Sequence, residues 1–148
     1  MKLTRYTDYA VRVMIFLGSR DGGLCSIADI SRRYDISQNN LMKVVQDLAR
    51  LGYIETLRGR NGGIRLGRPP QDINIGTLIR HTEKGCVLVD CANCVIAPAC
   101  GLPGVLAKAT NAFFQVLDEY TLADLVHNRS QIQELYTLMD IKDAAVIP

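Results

Sequence analysis

The chain contains no tryptophan, and its three phenylalanines and six tyrosines are thinly spread. A protein that grips single-stranded nucleic acid by stacking bases on aromatic rings needs more than this. Long apolar runs are also missing. The longest early one, Val13 to Leu17, falls far short of the ~20 residues that span a bilayer. The start, Met1-Lys-Leu-Thr-Arg-Tyr-Thr-Asp, turns polar at once and has no signal-peptide pattern. A cytoplasmic protein with no membrane partner is expected. Histidine is scarce, and His81 and His127 stand apart, so the H-x-x-x-H half of a zinc finger is absent, as is a second C-x-x-C. No protease-like Cys/His pairing, phosphate loop or paired-carboxylate pattern is present. The expectation is a protein that is not an enzyme.

What is there is a folded chain of 148 residues, 48% hydrophobic and 22% charged. That is enough for one compact domain, or for a small domain and an appendage. The net charge of +2 conceals a division. Residues 1–70 hold 12 Lys/Arg against 6 Asp/Glu, and residues 71–148 hold 5 against 9. The first half suits a polyanion and the second does not.

Apolar spacing predicts a helix from a Thr7 cap to about Ser19, with Tyr6, Ala10, Val13, Met14 and Leu17 as its buried stripe. Ser26 caps a short helix over 27–34. Ser37 caps a longer one from Gln38 to about Leu51, whose core face is Leu41, Val44, Val45 and Leu48 and which Gly52 closes. Residues 53–57 and 63–66 read as strands around Arg58-Gly-Arg-Asn-Gly-Gly, a loop tolerant of positive φ. This order predicts a mainly α fold with a small two-stranded β wing, a winged helix-turn-helix over 1–70. Residues 71–101 form a connecting helix, capped by Asn74, and a cysteine loop. Residues 102–148 begin with a helix of about 18 residues, whose apolar stripe from Leu102 to Tyr120 has little of its own chain to cover it and calls for a partner helix. Short helices from Thr121 and over 131–139 follow, with a loose tail from Ile141.

In a helix-turn-helix, the start of the second helix meets base edges in the major groove. Here that stretch is Ser37, Gln38, Asn39 and Asn40, with Lys43 one turn on. Its amides can pair bidentately with adenine, although a solvated, capped helix end has the same composition. Arg58 and Arg60 on the glycine-rich tip have the reach to enter a narrow minor groove. Together they point to double-stranded DNA. Arg5, Arg12, Arg32, Arg33, Arg65 and Arg68 are candidate phosphate contacts.

Cys91, Cys94 and Cys100 lie within ten residues, with Cys86 just upstream and Cys25 far away. In a reducing compartment such clusters are more often metal ligands or redox centres than disulfides. Soft ligands without histidine suit an iron–sulfur cluster, with [4Fe-4S] expected ahead of [2Fe-2S]; a tetrahedral zinc is the alternative. Cys25, just before the helix-turn-helix, reads as a buried small residue.

The opening Met1-Lys-Leu-Thr-Arg-Tyr-Thr-Asp-Tyr-Ala, the wing Leu57-Arg-Gly-Arg-Asn-Gly-Gly-Ile-Arg-Leu-Gly, the loop ending Ile96-Ala-Pro-Ala-Cys100 and the stretch Tyr120-Thr-Leu-Ala-Asp-Leu-Val carry a resemblance. Over nearly its full length the chain resembles the Rrf-type iron–sulfur winged-helix repressors, in particular those that sense nitric oxide. The resemblance implies a homodimer joined by the long helix and an inverted-repeat operator. It implies a cluster on Cys91, Cys94 and Cys100, with Asp8 of the other subunit as fourth ligand. It also implies that nitrosylation of the cluster releases DNA and derepresses nitric oxide detoxification genes. Such chains usually have four or five residues between the first two loop cysteines, whereas this one has two and adds Cys86. Cys86 is therefore the alternative fourth ligand. A sensor of iron or cluster supply would use the same parts; an iron–sulfur electron carrier would leave the wing and the charge division unexplained.

Overall fold

The computed structural model describes residues 2–144, with side chains through Asp140. The elements run α1 (Arg5–Gly18), α2 (Ile27–Tyr34), α3 (Gln38–Arg50), β1 (Ile54–Leu57), β2 (Gly63–Leu66), α4 (Ile75–Thr82), α5 (Leu102–Asp118), α6 (Leu122–Leu125) and α7 (Arg129–Ala144). This is a mainly helical winged helix-turn-helix followed by a long helix.

The first helix begins earlier than its sequence suggests. Thr4, in extended conformation, accepts the Thr7 amide at 3.2 Å, and Thr7 is fully buried inside the helix. Both threonines could cap; Thr4 does because its side chain faces the open turn while that of Thr7 packs inward. Ser26 and Asp29 form a reciprocal capping box at the head of α2. Between α2 and α3, Asp35 is left-handed (φ 51°) and Ile36 is buried, which turns the chain sharply. Ser37 then caps α3 by accepting the Asn40 amide at 3.3 Å. Gly52 (φ 77°) stops α3, and the Tyr53 amide bonds back to the Leu48 carbonyl at 2.9 Å.

The antiparallel hairpin runs in register from Ile54↔Leu66 to Leu57↔Gly63. Cys25 pairs with Ile64 through two backbone bonds of 3.0 and 2.9 Å, stitching the α1–α2 loop to the wing. α1 lies at the centre and touches α2, α3, α4, α6 and β2. Met14, Ile30, Leu41, Leu48, Ile73, Leu78 and Leu122 are fully buried there. The α1–α6 approach is so close that a Cβ on Gly18 would sit 3.0 Å from Leu122.

α5 has no buried residue. Phe114 and Leu117 rest against the core, and the Arg80 guanidinium forks onto Asp118 at 2.5 and 2.7 Å while lying over the Phe114 ring. The other side shows Leu102, Val105 and Val116 to solvent, and Tyr120, just past its end, is exposed as well. α7 folds back on the winged unit: Tyr136 packs with Phe16 and Tyr34, and Arg33 pairs with Asp140 at 2.6 Å. The loose tail expected from Ile141 is helical to Ala144, as continuation of a packed helix; residues 145–148 lie outside the described part. Among the described residues no helix is long and apolar enough to cross a membrane.

Candidate nucleic-acid interface and cysteine loop

The turn and caps place the α3 N-terminus on the surface. Ser37, Gln38, Asn39, Asn40 and Lys43 are all exposed. No side-chain ion pair occupies Lys43 among the described residues. The core stripe, Leu41, Val44, Val45 and Leu48, faces the opposite way. Met42, 55% exposed, belongs to the same outward face, and amide-based reasoning passes over it.

The wing tip is equally open. Arg58, Gly59, Arg60 and Asn61 are exposed, and the tip is closed by the Gly62 amide on the Gly59 carbonyl at 3.0 Å. A Cβ on Gly62 would lie 2.2 Å from the Leu57 carbonyl oxygen, so glycine is required for this turn. Neither Arg58 nor Arg60 is paired with a carboxylate among the described residues.

Most candidate phosphate contacts are engaged within the fold. Arg12 holds Asp8, Arg32 holds Asp29, Arg33 holds Asp140 and Arg65 holds Glu55. Arg68 stacks on Tyr53 and donates to the Gly52 and Leu51 carbonyls at 3.1 and 2.8 Å. It ties the end of α3 to the base of the wing, a role that a lone arginine before Pro-Pro does not announce.

The cysteine segment leaves α4 through Gly85 (φ 92°). The Ala92 amide bonds to the Asp90 carboxylate at 3.0 Å, the Cys94 amide to the Cys91 carbonyl at 3.3 Å, and the Cys100 amide to the Ala97 carbonyl at 3.4 Å. These local turns set Cys91, Cys94 and Cys100 along one short loop that ends at α5. Cys86 and Cys91 border a groove of about 390 Å³ against Pro103, Leu106 and Thr110 of α5. Every cysteine is free; Cys86 and Cys94 are exposed, Cys91 and Cys100 partly so. Among the described residues no three His, Cys, Asp or Glu side chains are gathered closely enough to hold a metal ion. Asp8 is not with the loop. It lies in the first turn of α1, where the Arg12 Nε meets both its oxygens at 3.0 and 2.9 Å and the Arg12 pKa is raised by that bond. In chemistry and number the loop's donors fit an iron–sulfur group; in one subunit they do not enclose one.

Around the loop the surface is apolar. Val87 is 78% exposed, Val95 95% and Ile96 64%. Cys25 is different: burial pushes its thiol up to about 11, despite the opposing pull of Arg20.

Comparison with known proteins agrees with this layout. Residues 3–128 match the Rrf2 family, described as an iron-dependent transcriptional regulator. The HTH-type transcriptional regulator NsrR of Bacillus licheniformis is 53% identical over 141 residues, 91% of this chain and 99% of that one. The regulator of the same name from Bacillus subtilis is 53% identical over 146 residues, 95% and 100% of the two chains. Among solved structures, the global cysteine regulator CymR of B. subtilis superposes with a TM-score of 0.72 at 28% identity, covering 86% of this chain and 98% of that one. T. potens IscR does so with 0.72 at 29% identity, covering 90% and 91%. The winged helix-turn-helix, the matched span and these relatives together place the chain in the Rrf2 family of transcriptional regulators, proteins that control genes and are not enzymes.

Proposed function

We propose that this regulator is a dimeric, cytoplasmic repressor whose cysteine loop carries an iron–sulfur cluster, [4Fe-4S] in this reading, and whose hold on DNA is set by nitric oxide. The observation that carries it is the loop. Four free thiols between Cys86 and Cys100, with no histidine among them, lead straight into a helix that has no buried residue within its own subunit. Cys91, Cys94 and Cys100 are the ligands, and the fourth is Cys86 of the same loop or the partner subunit's Asp8. Bound there, the cluster supplies iron centres that react with nitric oxide.

The chain's own residues do the rest. The exposed side of α5 takes a second copy, and the loop at its start sits beside that seam. The Arg80–Asp118 fork fixes α5 to α4, and α4 packs on α1, so the seam sets the distance between two reading heads. Ser37 to Asn40 and Lys43 then meet base edges of an inverted repeat, and Arg58 and Arg60 reach its minor groove. As a ligand, Asp8 would share its carboxylate with Arg12 or give up that pairing, and it would hold iron more weakly than a thiolate. Without a shared centre the thiolates would leave the loop without a cross-link, and the heads would lose their spacing.

The test is the visible spectrum of anaerobically purified protein before and after nitric oxide, with anisotropy of an inverted-repeat duplex selected from a random library. The expected result is absorbance that changes with nitric oxide while DNA is released. Absorbance that ignores nitric oxide overturns the signal. Single serine variants of the four loop cysteines and Asp8→Ala assign the shell: ligands lose the chromophore and a bystander keeps it. The family description as iron-dependent favours one further reading, a sensor of iron or cluster supply. In that case iron depletion, not nitric oxide, frees the DNA. A colourless protein with stoichiometric zinc would remove both.

A further inference from the structure

The cleft where the α1–α2 loop, the base of the wing and the start of α7 meet belongs neither to the DNA-reading tip nor to the cysteine loop. It is about 490 Å³, within the range of small-molecule sites, and four arginines line it. Their charges are unevenly matched. Arg65 is paired with Glu55 at 2.8 Å. Arg129 reaches Asp21 only at 3.8 Å, and the Asp21 side chain is wholly exposed, so that pair is weak. Arg68 gives its donors to backbone carbonyls and keeps its charge uncompensated. Arg20 has no carboxylate partner among the described residues. Its guanidinium lies over the Phe16 ring, and its Nε is buried without a hydrogen-bond acceptor.

That Nε is sealed from solvent, so a ligand in the cleft meets the terminal guanidinium nitrogens of Arg20, which hydrogen-bond to nothing among the described residues. With Asp21 and Glu55 counted, the lining carries an excess of two positive charges. Gly22 and Gly23 wall one side, and a Cβ at either would meet nothing within 4 Å, so the approach is open. Guanidinium groups around an open hollow match the planar oxygens of phosphate and carboxylate.

We propose that this cleft binds a small doubly charged oxyanion of phosphate-monoester size, gripped by Arg20 and Arg129, with Arg68 adding charge. A ligand there bridges the wing to α1 and α7 and so bears on wing position independently of the cysteine loop.

The probe is inorganic phosphate, titrated into the full chain at constant ionic strength against chloride, and read from the arginine Nε–Hε signals in ¹⁵N NMR. Saturable shifts of the Arg20 and Arg129 signals are the expected result, with phosphate affinity weakened at least tenfold when read from Arg129 in Arg20→Gln and from Arg20 in the surface variant Arg129→Gln. Arg129 is half-exposed, so its variant tests the site even if Arg20→Gln fails to fold. Shifts that do not saturate, that chloride reproduces, or that survive in both variants overturn the proposal. So does displacement of phosphate by duplex DNA together with a lower salt slope of DNA binding in Arg129→Gln. That outcome makes these arginines contacts to the DNA backbone.

Discussion

At the scale of single residues, environment separates groups that composition treats alike. Five cysteines share a side chain, but only Cys25 is buried, and its pKa of about 11 keeps it a thiol at neutral pH. Thiolate is the reactive form, so its alkylation should lag that of an ordinary exposed thiol on the order of 10²-fold. Iodoacetamide mapping of the reduced, cluster-free protein by mass spectrometry should label Cys86 and Cys94 first and Cys25 last. Asp118 offers a second case. The Arg80 fork holds its carboxylate below the usual range. The folded state therefore takes up a proton later than the unfolded chain as pH falls. The stabilisation is present above about pH 4, the unfolded value, and is lost as pH drops through the folded value. Urea unfolding of Arg80→Ala should show its largest deficit near pH 6, and the deficit should shrink toward pH 3.

At the scale of elements, two glycines hold structures in place by leaving room. A Cβ on Gly76 would come within 2.0 Å of the Asp118 carboxylate and 3.0 Å of its backbone nitrogen, so Gly76→Ala must turn the Asp118 side chain away from Arg80 and crowd the α4–α5 contact. Overpacking of this kind costs about 1–3 kcal/mol. Denaturant melts should show a loss toward the lower end of that range, because the Arg80–Asp118 fork is lost with it. Gly62 is different. Its clash is with backbone, at 2.2 Å from the Leu57 carbonyl oxygen, so Gly62→Ala must rebuild the hairpin loop, lowering DNA affinity and costing stability as well. Arg58→Ala and Arg60→Ala should weaken binding without touching the fold, and the salt slope should fall by about one unit for each phosphate that the variant no longer neutralises. Electrophoretic shifts at several salt concentrations check both. The turn chemistry is legible in the sequence, because Asn-Gly-Gly after two arginines suits little else.

At the scale of the whole molecule, α5 is a long helix with no buried residue of its own. Its solvent side presents Leu102, Val105 and Val116, with Val105 at 63% exposed. A second copy is the proposed cover. Val105→Lys should give a monomer in light scattering, with its fold intact by circular dichroism. Because each head alone gains nothing from its tethered twin, affinity for an inverted repeat should fall by about 10²-fold or more.

The periodicity of Leu41, Val44, Val45 and Leu48, the caps at Ser26, Ser37, Asn74 and Thr121, and the glycine-rich wing are enough to determine the winged helix-turn-helix and the long helix behind it. These signals are local, resting on side-chain spacing and hydrogen bonds within one turn. The cap of α1 is not decided at that level, because Thr4 and Thr7, three residues apart, satisfy the same local rule and only burial of Thr7 chooses between them. What tertiary structure decides is which charges remain free. Arg12, Arg33, Arg65 and Arg68 look like DNA contacts by charge alone, but folding gives them partners inside the protein. Arg20 stands out only once its Nε is buried without an acceptor. The cysteines likewise declare their chemistry in sequence, since thiolates select soft metals wherever they lie. Their enclosure is a matter of distances between loops and subunits, and no spacing along one chain contains those.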